Sequence, residues 1–379
     1  MNAANTQIPG RFYLLDALRG IAALSVVCFH WQNLLVQGDV ERMGYAGDDL
    51  PFQQVLGMIY QHGSLAVDLF ISLSGFIFFC FYAEKIIGGK VPARQFFILR
   101  FSRLYPLYFT TLLLAAVGQA LFLHSQGRYM AYWHNDLFHF VLSVPLLSSV
   151  GLEHGLSFNG PAWSISVEAF LYLTFFFVCR VGNIRPWLLA LIAVFGFFLL
   201  SRVYAPLGRG VGSFFMGGLV FALYRRLTSS PLRPYISAGL LWLVGLMWLL
   251  TWLVQSQTWS LEGLPALGRF AYRFPTLLLF PMTILALALA ENARSRAGPA
   301  LSWLGDISYS SYLWHFPLQL AFGLAVAYAG LSTEVFKTSG SMLLFLAVLL
   351  LLSWASHRWL EMPAQKAMRS LWLRRTGAV

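Results

Sequence analysis

The first membrane-length segment reads RFYLLDALRGIAALSVVCFHWQNLLVQ (residues 11–37) and carries three ionisable side chains, Asp16, Arg19 and His30, among apolar residues. An α-helix turns about 100° per residue, so Arg19 and His30 return to within about 20° of each other, and Asp16 lies within about 60° of them. Such groups are costly inside a bilayer unless they face the bundle interior or a water-filled cavity. The pattern indicates either a functional polar face or a helix-end Asp16–Arg19 pair beside a hydrogen-bonded interior His30.

Composition places the whole chain in a membrane. Of its 379 residues, 58% are hydrophobic and only 11% are charged, whereas about 25% of the residues in a soluble protein are charged. We expect an all-α polytopic membrane helix bundle that forms a single domain over residues 1–379. A short cytoplasmic tail at residues 1–11 and a basic cytoplasmic tail at residues 364–379 would flank the bundle.

Long apolar runs recur along the chain, many of them near the ~20 residues that are needed to cross hydrocarbon. A shorter apolar segment, residues 137–150, is broken by Pro145 and is predicted to be re-entrant or interfacial. The prediction is therefore about ten transmembrane helices plus this short one. The ten lie near residues 13–36, 64–83, 104–124, 163–180, 187–205, 211–226, 236–254, 274–291, 308–330 and 339–359.

Charge favours the same arrangement. With ten spans and a cytoplasmic N-terminus, eighteen of the 26 Lys and Arg residues fall on the cytoplasmic side and seven fall outside, as the positive-inside rule predicts. The net charge of +11 is thus largely topological, and it would also attract anionic membrane lipids. Nucleic acid is not an expected partner, because the basic residues lie on short loops between membrane helices.

Two arginines near the start of the third span, Arg100 and Arg103, present guanidinium groups three residues apart, with Tyr105 just beyond them. Guanidinium groups suit the phosphates of a lipid head group or of a nucleotide-containing cofactor. The alternative is ordinary anchoring to the inner leaflet.

The fourth span brings Ser164, Glu168 and Tyr172 onto one face, because they are four residues apart. A carboxylate inside a membrane helix must be paired, neutral or in contact with a cavity. Structural pairing of Glu168 therefore stays open beside a functional role. Further polar side chains inside spans are candidates for substrate contact or structural support: Asp16, Asp68, Ser72, Trp163, Ser166, Tyr312 and His315.

No metal site is expected. The three cysteines, Cys28, Cys80 and Cys179, all fall inside predicted spans, where their spacing supports neither a disulfide framework nor a CxxC metal site.

These segments together resemble the acyltransferase-3 family of integral-membrane acyltransferases. The family's spacing of a basic residue and a histidine, with ten residues between them, matches Arg19 and His30. The similarity continues through five further motifs in the same order: VDLFISLSGF (67–76), RFSRLYP (100–106), WSISVEAFLY (163–172), LGDISYSSYLWHFP (304–317) and the final E-x-P (361–363).

The resemblance implies a membrane enzyme of a bacterial cytoplasmic membrane. It would move an acyl group, acetyl being the expected one, from cytoplasmic acyl-CoA to a hydroxyl of a sugar-containing acceptor such as a surface polysaccharide or its lipid-linked precursor. We expect His30, Glu168 and Arg19 in the catalytic region, and Arg100, Arg103 and Tyr105 at the acyl-CoA phosphates. A homo-oligomer is compatible with the sequence. The acceptor, the acyl chain, the leaflet and the choice between direct transfer and an acyl-histidine stay open.

A transporter or flippase is the main alternative, with Asp68, Glu168 and His30 as a proton relay. A non-catalytic membrane partner of a polysaccharide-export machine is the third hypothesis. Acyl transfer by the purified protein would separate the first class from the other two.

Topology yields the first testable prediction. Both termini should be cytoplasmic, and the loops at residues 37–62 and 255–272 should lie outside. Single cysteines at Gly47 and Gln257, in a protein without native thiols, should react with an impermeant reagent added from outside. Protection of both positions, with labelling at Ser295 instead, would contradict this topology.

Overall fold

The computed structural model describes residues 9–36, 38–43, 49–182, 184–255, 273–291 and 297–376, and these ranges contain helices and no strands. The topology markers Gly47, Gln257 and Ser295 lie outside them. The α-helices are α1 Tyr13–His30, α2 Val40–Met43, α3 Gln53–His62, α4 Ala66–Phe81, α5 Ala83–Ile87, α6 Ala93–Gln126, α7 Leu137–Ser143, α8 Trp163–Arg180, α9 Pro186–Val194, α10 Ser201–Val203, α11 Ala205–Thr228, α12 Arg233–Gln255, α13 Phe280–Ala290, α14 Ala297–Asp306, α15 Ser308–Tyr328, α16 Ser339–Ser356 and α17 Met362–Thr376.

Short 3₁₀ and π segments extend several of these helices. The 3₁₀ segments are Trp31–Leu34, Gly63–Leu65, Gly160–Ala162 and Thr333–Lys337, and the π segments are Phe195–Leu200, Pro275–Leu279 and His357–Glu361. Within the described ranges, eight helical stretches are long and apolar enough to cross a membrane. These are Tyr13–Leu34, Gln53–Phe81, Ala93–Gln126, Gly160–Arg180, Pro186–Val203, Ala205–Thr228, Arg233–Val254 and Ser339–Leu371.

The prediction of an all-α polytopic membrane protein is confirmed. All ten predicted spans fall on helices, although two of them are not among the eight long apolar stretches. Pro275–Ala290 is apolar but shorter, and α15 has a polar first half with several Ser and Tyr residues and a His. The exact number of membrane crossings stays a prediction.

Some helix boundaries differ from the predicted ones. Helix α6 begins at Ala93 rather than near residue 104 and continues through Pro106. Residues 364–379 were predicted as a tail, but α17 is helical to Thr376 and packs against α6. In the segment 137–150 only α7 is helical, and Asp136 caps it by accepting the His139 backbone N–H at 2.9 Å. That hydrogen bond lowers the pKa of Asp136.

The chain divides into two compact units. The first comprises Met1–Ala22, Ser64–Gly88 and Phe177–Asp306, and the second comprises Ala23–Gly63, Gly89–Phe176 and Ile307–Val379. Both α1 and α8 therefore contribute residues to each unit. One functional domain over the whole chain stays a prediction.

The first unit is built on close packing of α4 against α11, which glycines permit. A Cβ on Gly75 would meet the Phe214 backbone, and one on Gly217 would lie 2.7 Å from the Phe76 nitrogen. Small residues allow membrane helices to approach in this way. Aromatic rings, including Phe76 and Tyr224 at 5.6 Å, fill the surrounding core.

The second unit is organised around α6 and α15, which pack along each other. A Cβ on Gly118 of α6 would lie 3.0 Å from Leu320 of α15, so this contact is also close. At one edge the Trp31 indole donates a hydrogen bond of 2.9 Å to the Phe336 carbonyl and packs edge-on against Phe345. These contacts hold the segment after α1 against the 3₁₀ segment Thr333–Lys337 and against α16.

The α4–α11 packing predicts that Gly217→Ala lowers the melting temperature of the detergent-solubilised protein. The added methyl group must displace α4 backbone, and overpacking typically costs about 1–3 kcal/mol. Gly239→Ala in α12 is the matched control, because a Cβ there meets no atom within 4 Å. An unchanged melting temperature in Gly217→Ala would contradict the close packing.

Candidate active site

Two histidines stack on each other in the second unit. His30 is the last residue of α1, and His315 lies in the polar first half of α15. Their ring centroids are 5.1 Å apart and the ring planes differ by 28°. The His30 residue is 8% exposed and His315 is 0% exposed, so the pair is enclosed in the bundle.

Hydrogen bonds assign the same tautomer to both rings. The Nδ1 atom of His30 lies 3.0 Å from the Val26 carbonyl, and that of His315 lies 2.6 Å from the Tyr312 carbonyl. A carbonyl oxygen only accepts, so each Nδ1 carries the hydrogen and each Nε2 keeps its lone pair when the ring is neutral. Among the described residues, the buried Nε2 of His315 has no hydrogen-bond partner.

Side-chain amides hold the end of α1 against α15. The Gln319 amide donates to the His30 carbonyl at 2.8 Å, and Asn33 donates to the Gln319 amide oxygen at 3.3 Å. The Gln32 amide donates to the Tyr60 carbonyl at 2.8 Å. Sequence reasoning missed these three amides. Two adjacent amides within an apolar stretch, and a third one turn after His315, were the available signal.

Tyr312 connects α15 to the start of α8. Its hydroxyl donates to the Pro161 carbonyl and lies 2.8 Å from the Ser164 hydroxyl, which therefore acts as the donor to Tyr312. One residue further along α15, the Leu313 carbonyl accepts from the Asn159 amide at 3.1 Å. Tyr312, a predicted support residue, and Ser164 thus fix the helical turn that carries His315.

A second group of polar side chains comprises Glu168 and Tyr172 on α8 and Tyr309 on α15. The Tyr172 hydroxyl donates to Glu168 at 2.6 Å, and the Tyr309 hydroxyl donates to the Leu104 carbonyl at 2.6 Å. Pairing of Glu168, one of the two predicted alternatives, is therefore observed with Tyr172.

The predicted phosphate-binding residues lie on α6. Arg100 is 7% exposed, whereas Arg103 is exposed. Tyr105 stacks between Phe101 and Phe109, with ring centroids 4.4 Å and 5.7 Å away. Six polar residues of this unit are together called the polar path: Arg100 and Arg103 on α6, Glu168 and Tyr172 on α8, and Tyr312 and His315 on α15.

A cavity of about 590 Å³ lies beside the buried arginine of this path. Arg94 and Arg100 contribute the charged groups, and apolar side chains of α6, α8 and α17 form most of the wall. In α17, Arg369 donates to the Ser102 hydroxyl at 3.4 Å and so ties that helix to α6.

The two remaining support residues of α8 differ in their surroundings. The buried Ser166 hydroxyl lies 2.8 Å from the Ser148 hydroxyl, which fixes α8 to the segment after α7. Trp163 is half-buried at the first position of α8.

Asp16 and Arg19 belong to an ion-pair group of the first unit. Arg19 lies 2.9 Å from Asp16 and donates to the Gly305 carbonyl at 2.9 Å. Arg11 bridges Asp16 and Asp306, both at 2.6 Å. Partial burial lowers the pKa of Arg11, but the two carboxylates outweigh this and raise it. The predicted Asp16–Arg19 pairing is therefore observed.

Asp68 and Ser72 form a separate group in the same unit. Asp68 is 1% exposed, and Arg209 donates to both its oxygens, at 3.2 Å and 3.1 Å. Thr276 adds a hydrogen bond of 3.0 Å, while Ser72 donates to the Ser213 carbonyl at 3.0 Å. Within the described part of the chain, no group of three or more His, Cys, Asp or Glu residues could hold a metal ion, and all three cysteines are free.

The apolar helices define an integral-membrane protein with an imidazole pair in its interior. Sequence comparison supplies the family: the model of the acyltransferase-3 acyltransferase domain matches residues 12–358. The chain belongs to this family and is an acyltransferase of the O-acetyltransferase type.

Three relatives illustrate the range of similarity. Nodulation protein 10 of Rhizobium leguminosarum is 24% identical over 99% of both chains. The ORF330 protein of Acidianus two-tailed virus, whose name proposes an acetyltransferase, is 25% identical over 82% of this chain and 87% of its own. The peptidoglycan O-acetyltransferase OatA of Listeria monocytogenes is 23% identical over 80% of this chain, which spans about half of that relative (49%). No solved structure matches the chain.

The Asp68 contacts generate a prediction that tests whether Asp68 stabilises the fold or relays protons. Asp68→Asn keeps the size of the side chain but removes the charge opposite Arg209, so the melting temperature should fall. The expected loss is about 1.5–3 kcal/mol, as for hydrogen bonds to charged groups. Turnover per folded molecule should stay near wild type, because a supporting ion pair takes no part in the reaction.

Ser72→Ala is the matched control on the same helix, since it removes a neutral hydrogen bond and should cost about 1 kcal/mol. Loss of turnover in a fully stable Asp68→Asn protein would contradict the supporting role.

Proposed function

We propose that this protein is a membrane O-acyltransferase that moves an acetyl group from cytoplasmic acetyl-CoA to a hydroxyl of a sugar-containing acceptor. A surface polysaccharide or its lipid-linked precursor is the acceptor class. The proposal places the protein in a bacterial cytoplasmic membrane with both termini in the cytoplasm. The observation that carries it is the enclosed, stacked His30–His315 pair, with each Nδ1 hydrogen-bonded to a backbone carbonyl, inside a chain of the acyltransferase-3 family.

Acyl-CoA binding is assigned to the α6 end of the polar path. Arg100 and Arg103 offer guanidinium groups for the CoA phosphates, and Tyr105 lies one turn further along the same helix. The pantetheine arm would then follow the path past Tyr172 and Glu168 toward His315. This direction places the thioester near the histidines while the charged head stays at the membrane surface.

His30 is assigned to the chemical step. Its Nε2, the nitrogen not bonded to the Val26 carbonyl, can take the hydroxyl proton of the acceptor as the oxygen attacks the thioester. It can alternatively accept the acyl group first. In either route the thioester C–S bond breaks, an ester C–O bond forms, and the hydroxyl proton finally reaches the CoA sulfur.

Glu168 is assigned to the acceptor side of the site. Tyr172 fixes one of its carboxylate oxygens, which leaves acceptor capacity for sugar hydroxyls. Arg19 is assigned to positioning of α1, because it pairs with Asp16 and donates to the Gly305 carbonyl. This assignment removes Arg19 from the chemical step.

Sugar acceptors are supported by the relatives, one of which is named a peptidoglycan O-acetyltransferase. The excess of basic residues predicted on the cytoplasmic face would bind anionic membrane lipids. A homo-oligomer is compatible with this proposal. The transporter alternative is weaker because Asp68, one of its three relay groups, has both oxygens committed to Arg209.

Removal of either predicted phosphate ligand should weaken acyl-CoA binding. A charge-assisted contact contributes about 1.5–3 kcal/mol, so Arg100→Ala and Arg103→Ala should each lose roughly 10- to 150-fold in affinity. Equilibrium binding of acetyl-CoA to the purified protein measures this. Arg180→Ala, which removes an exposed arginine at the end of α8, is the control and should bind normally. Wild-type affinity in folded Arg100→Ala and Arg103→Ala would reduce both residues to membrane anchors.

His30→Ala and His30→Gln test the proposed function directly. Loss of a general base costs about 10²–10⁴ in rate, and loss of a nucleophile costs at least as much. Transfer of labelled acetyl from acetyl-CoA to endogenous acceptor should therefore fall by that factor, while acetyl-CoA binding stays close to wild type. Near wild-type transfer by a folded His30→Ala protein would overturn the assignment of His30.

A further inference from the structure

We propose that the two stacked histidines divide the reaction between them: His30 carries the acyl group, and His315 takes the proton of the acceptor hydroxyl. This inference rests on the proposed acyltransferase function and assigns His315 as a second catalytic residue. It also selects the covalent route over direct transfer.

The first support is the unpaired nitrogen of His315. A histidine that only stabilises a core normally satisfies both ring nitrogens, because a buried polar atom without a partner costs about 1–3 kcal/mol. Here the Tyr312 carbonyl fixes Nδ1, whereas the buried Nε2 has no partner in the described part of the chain. The lone pair of Nε2 is thus oriented and available for one incoming proton.

The second support is the separation of the rings. A base can take the proton of an oxygen that attacks an acyl group on a neighbouring imidazole only if the two rings lie close together. The ring centroids of His30 and His315 are 5.1 Å apart with nearly parallel planes. Direct transfer needs only one base, whereas acyl transfer through a histidine needs a nucleophile and a separate base.

Burial decides which ring has which role. The nucleophile must meet the bulky thioester, and His30 is the more exposed residue of the pair, at 8%. The base needs to contact only the hydroxyl group of the acceptor, so His315, which is 0% exposed, can take this role. Tyr312 and Gln319, one turn before and one turn after His315, anchor its helix to Pro161 and to the His30 carbonyl.

The steps balance without a further reactant. The His30 Nε2 attacks the thioester carbonyl, the C–S bond breaks, and CoA leaves as a thiolate beside a cationic acyl-imidazole. The acceptor oxygen then forms the C–O bond, its proton moves to the His315 Nε2, and the C–N bond breaks to restore neutral His30. Finally, His315 returns the proton to the thiolate. The pair carries one positive charge at a time, which avoids repulsion between two cations at this distance.

Rapid quench with labelled acetyl-CoA tests the division of labour. Wild type should form a transient acetyl-protein, His30→Gln should form none, and His315→Gln should form it but discharge it to the acceptor about 10²–10⁴ times more slowly. His124→Gln, an exposed histidine on α6, is the control and should behave as wild type. The discharge rate of wild type should rise with pH as one group loses its proton, and this rise should be absent in His315→Gln.

The outcomes separate the two proposals. Wild-type discharge by His315→Gln, or catalysed transfer without any acetyl-protein in wild type, would overturn the role of His315 and leave acyltransferase activity intact. Absence of transfer from acetyl-CoA in wild type would instead overturn the proposed function. If His315→Gln does not fold, a wild-type discharge rate that is independent of pH would still overturn a titrating base.

Discussion

Hydrocarbon offers no hydrogen-bond partners, and this constraint governs every polar side chain inside the helices. A polar group that enters such a bundle must find its partner within the protein or bear a cost of several kcal/mol. Asp68 meets the requirement through Arg209 and Thr276, and Asp16 meets it through Arg11 and Arg19. In both groups the carboxylate has cations or hydrogen-bond donors of its own unit as partners.

The histidine pair is different because the Nδ1 atoms of both rings are hydrogen-bonded, whereas one of the two Nε2 atoms is not. Backbone carbonyls of Val26 and Tyr312 fix the Nδ1 atoms, while the Nε2 of His315 is left without a partner among the described residues. Gln319 then joins the end of α1 to α15 through the His30 carbonyl. Other buried polar atoms of the described residues also lack a partner, but the one of His315 belongs to a ring that stacks on His30, where the proposed acyl transfer needs a free lone pair.

The lengths of the apolar segments predicted the helices well, because each membrane span needs a long apolar run that is visible in the sequence. The start of α6 at Ala93 was missed, since basic residues and Pro106 disguise a helix that continues through them. The contact between His30 and His315 was beyond prediction, because no local periodicity relates side chains on α1 and α15. Helical spacing did place Glu168 beside Tyr172, a pair that one turn of α8 brings together.

The polar path has a consequence for how donor and acceptor can meet. Steps of three residues along α15 (Tyr309, Tyr312, His315) and of four along α8 (Ser164, Glu168, Tyr172) put hydroxyl and carboxylate groups on facing helices. Each such step advances only about 4.5–6 Å along a helix. In the proposed reaction, a flexible arm held by its charged end at the arginines of α6 would pass these hydrogen-bonding groups on its way to the histidines.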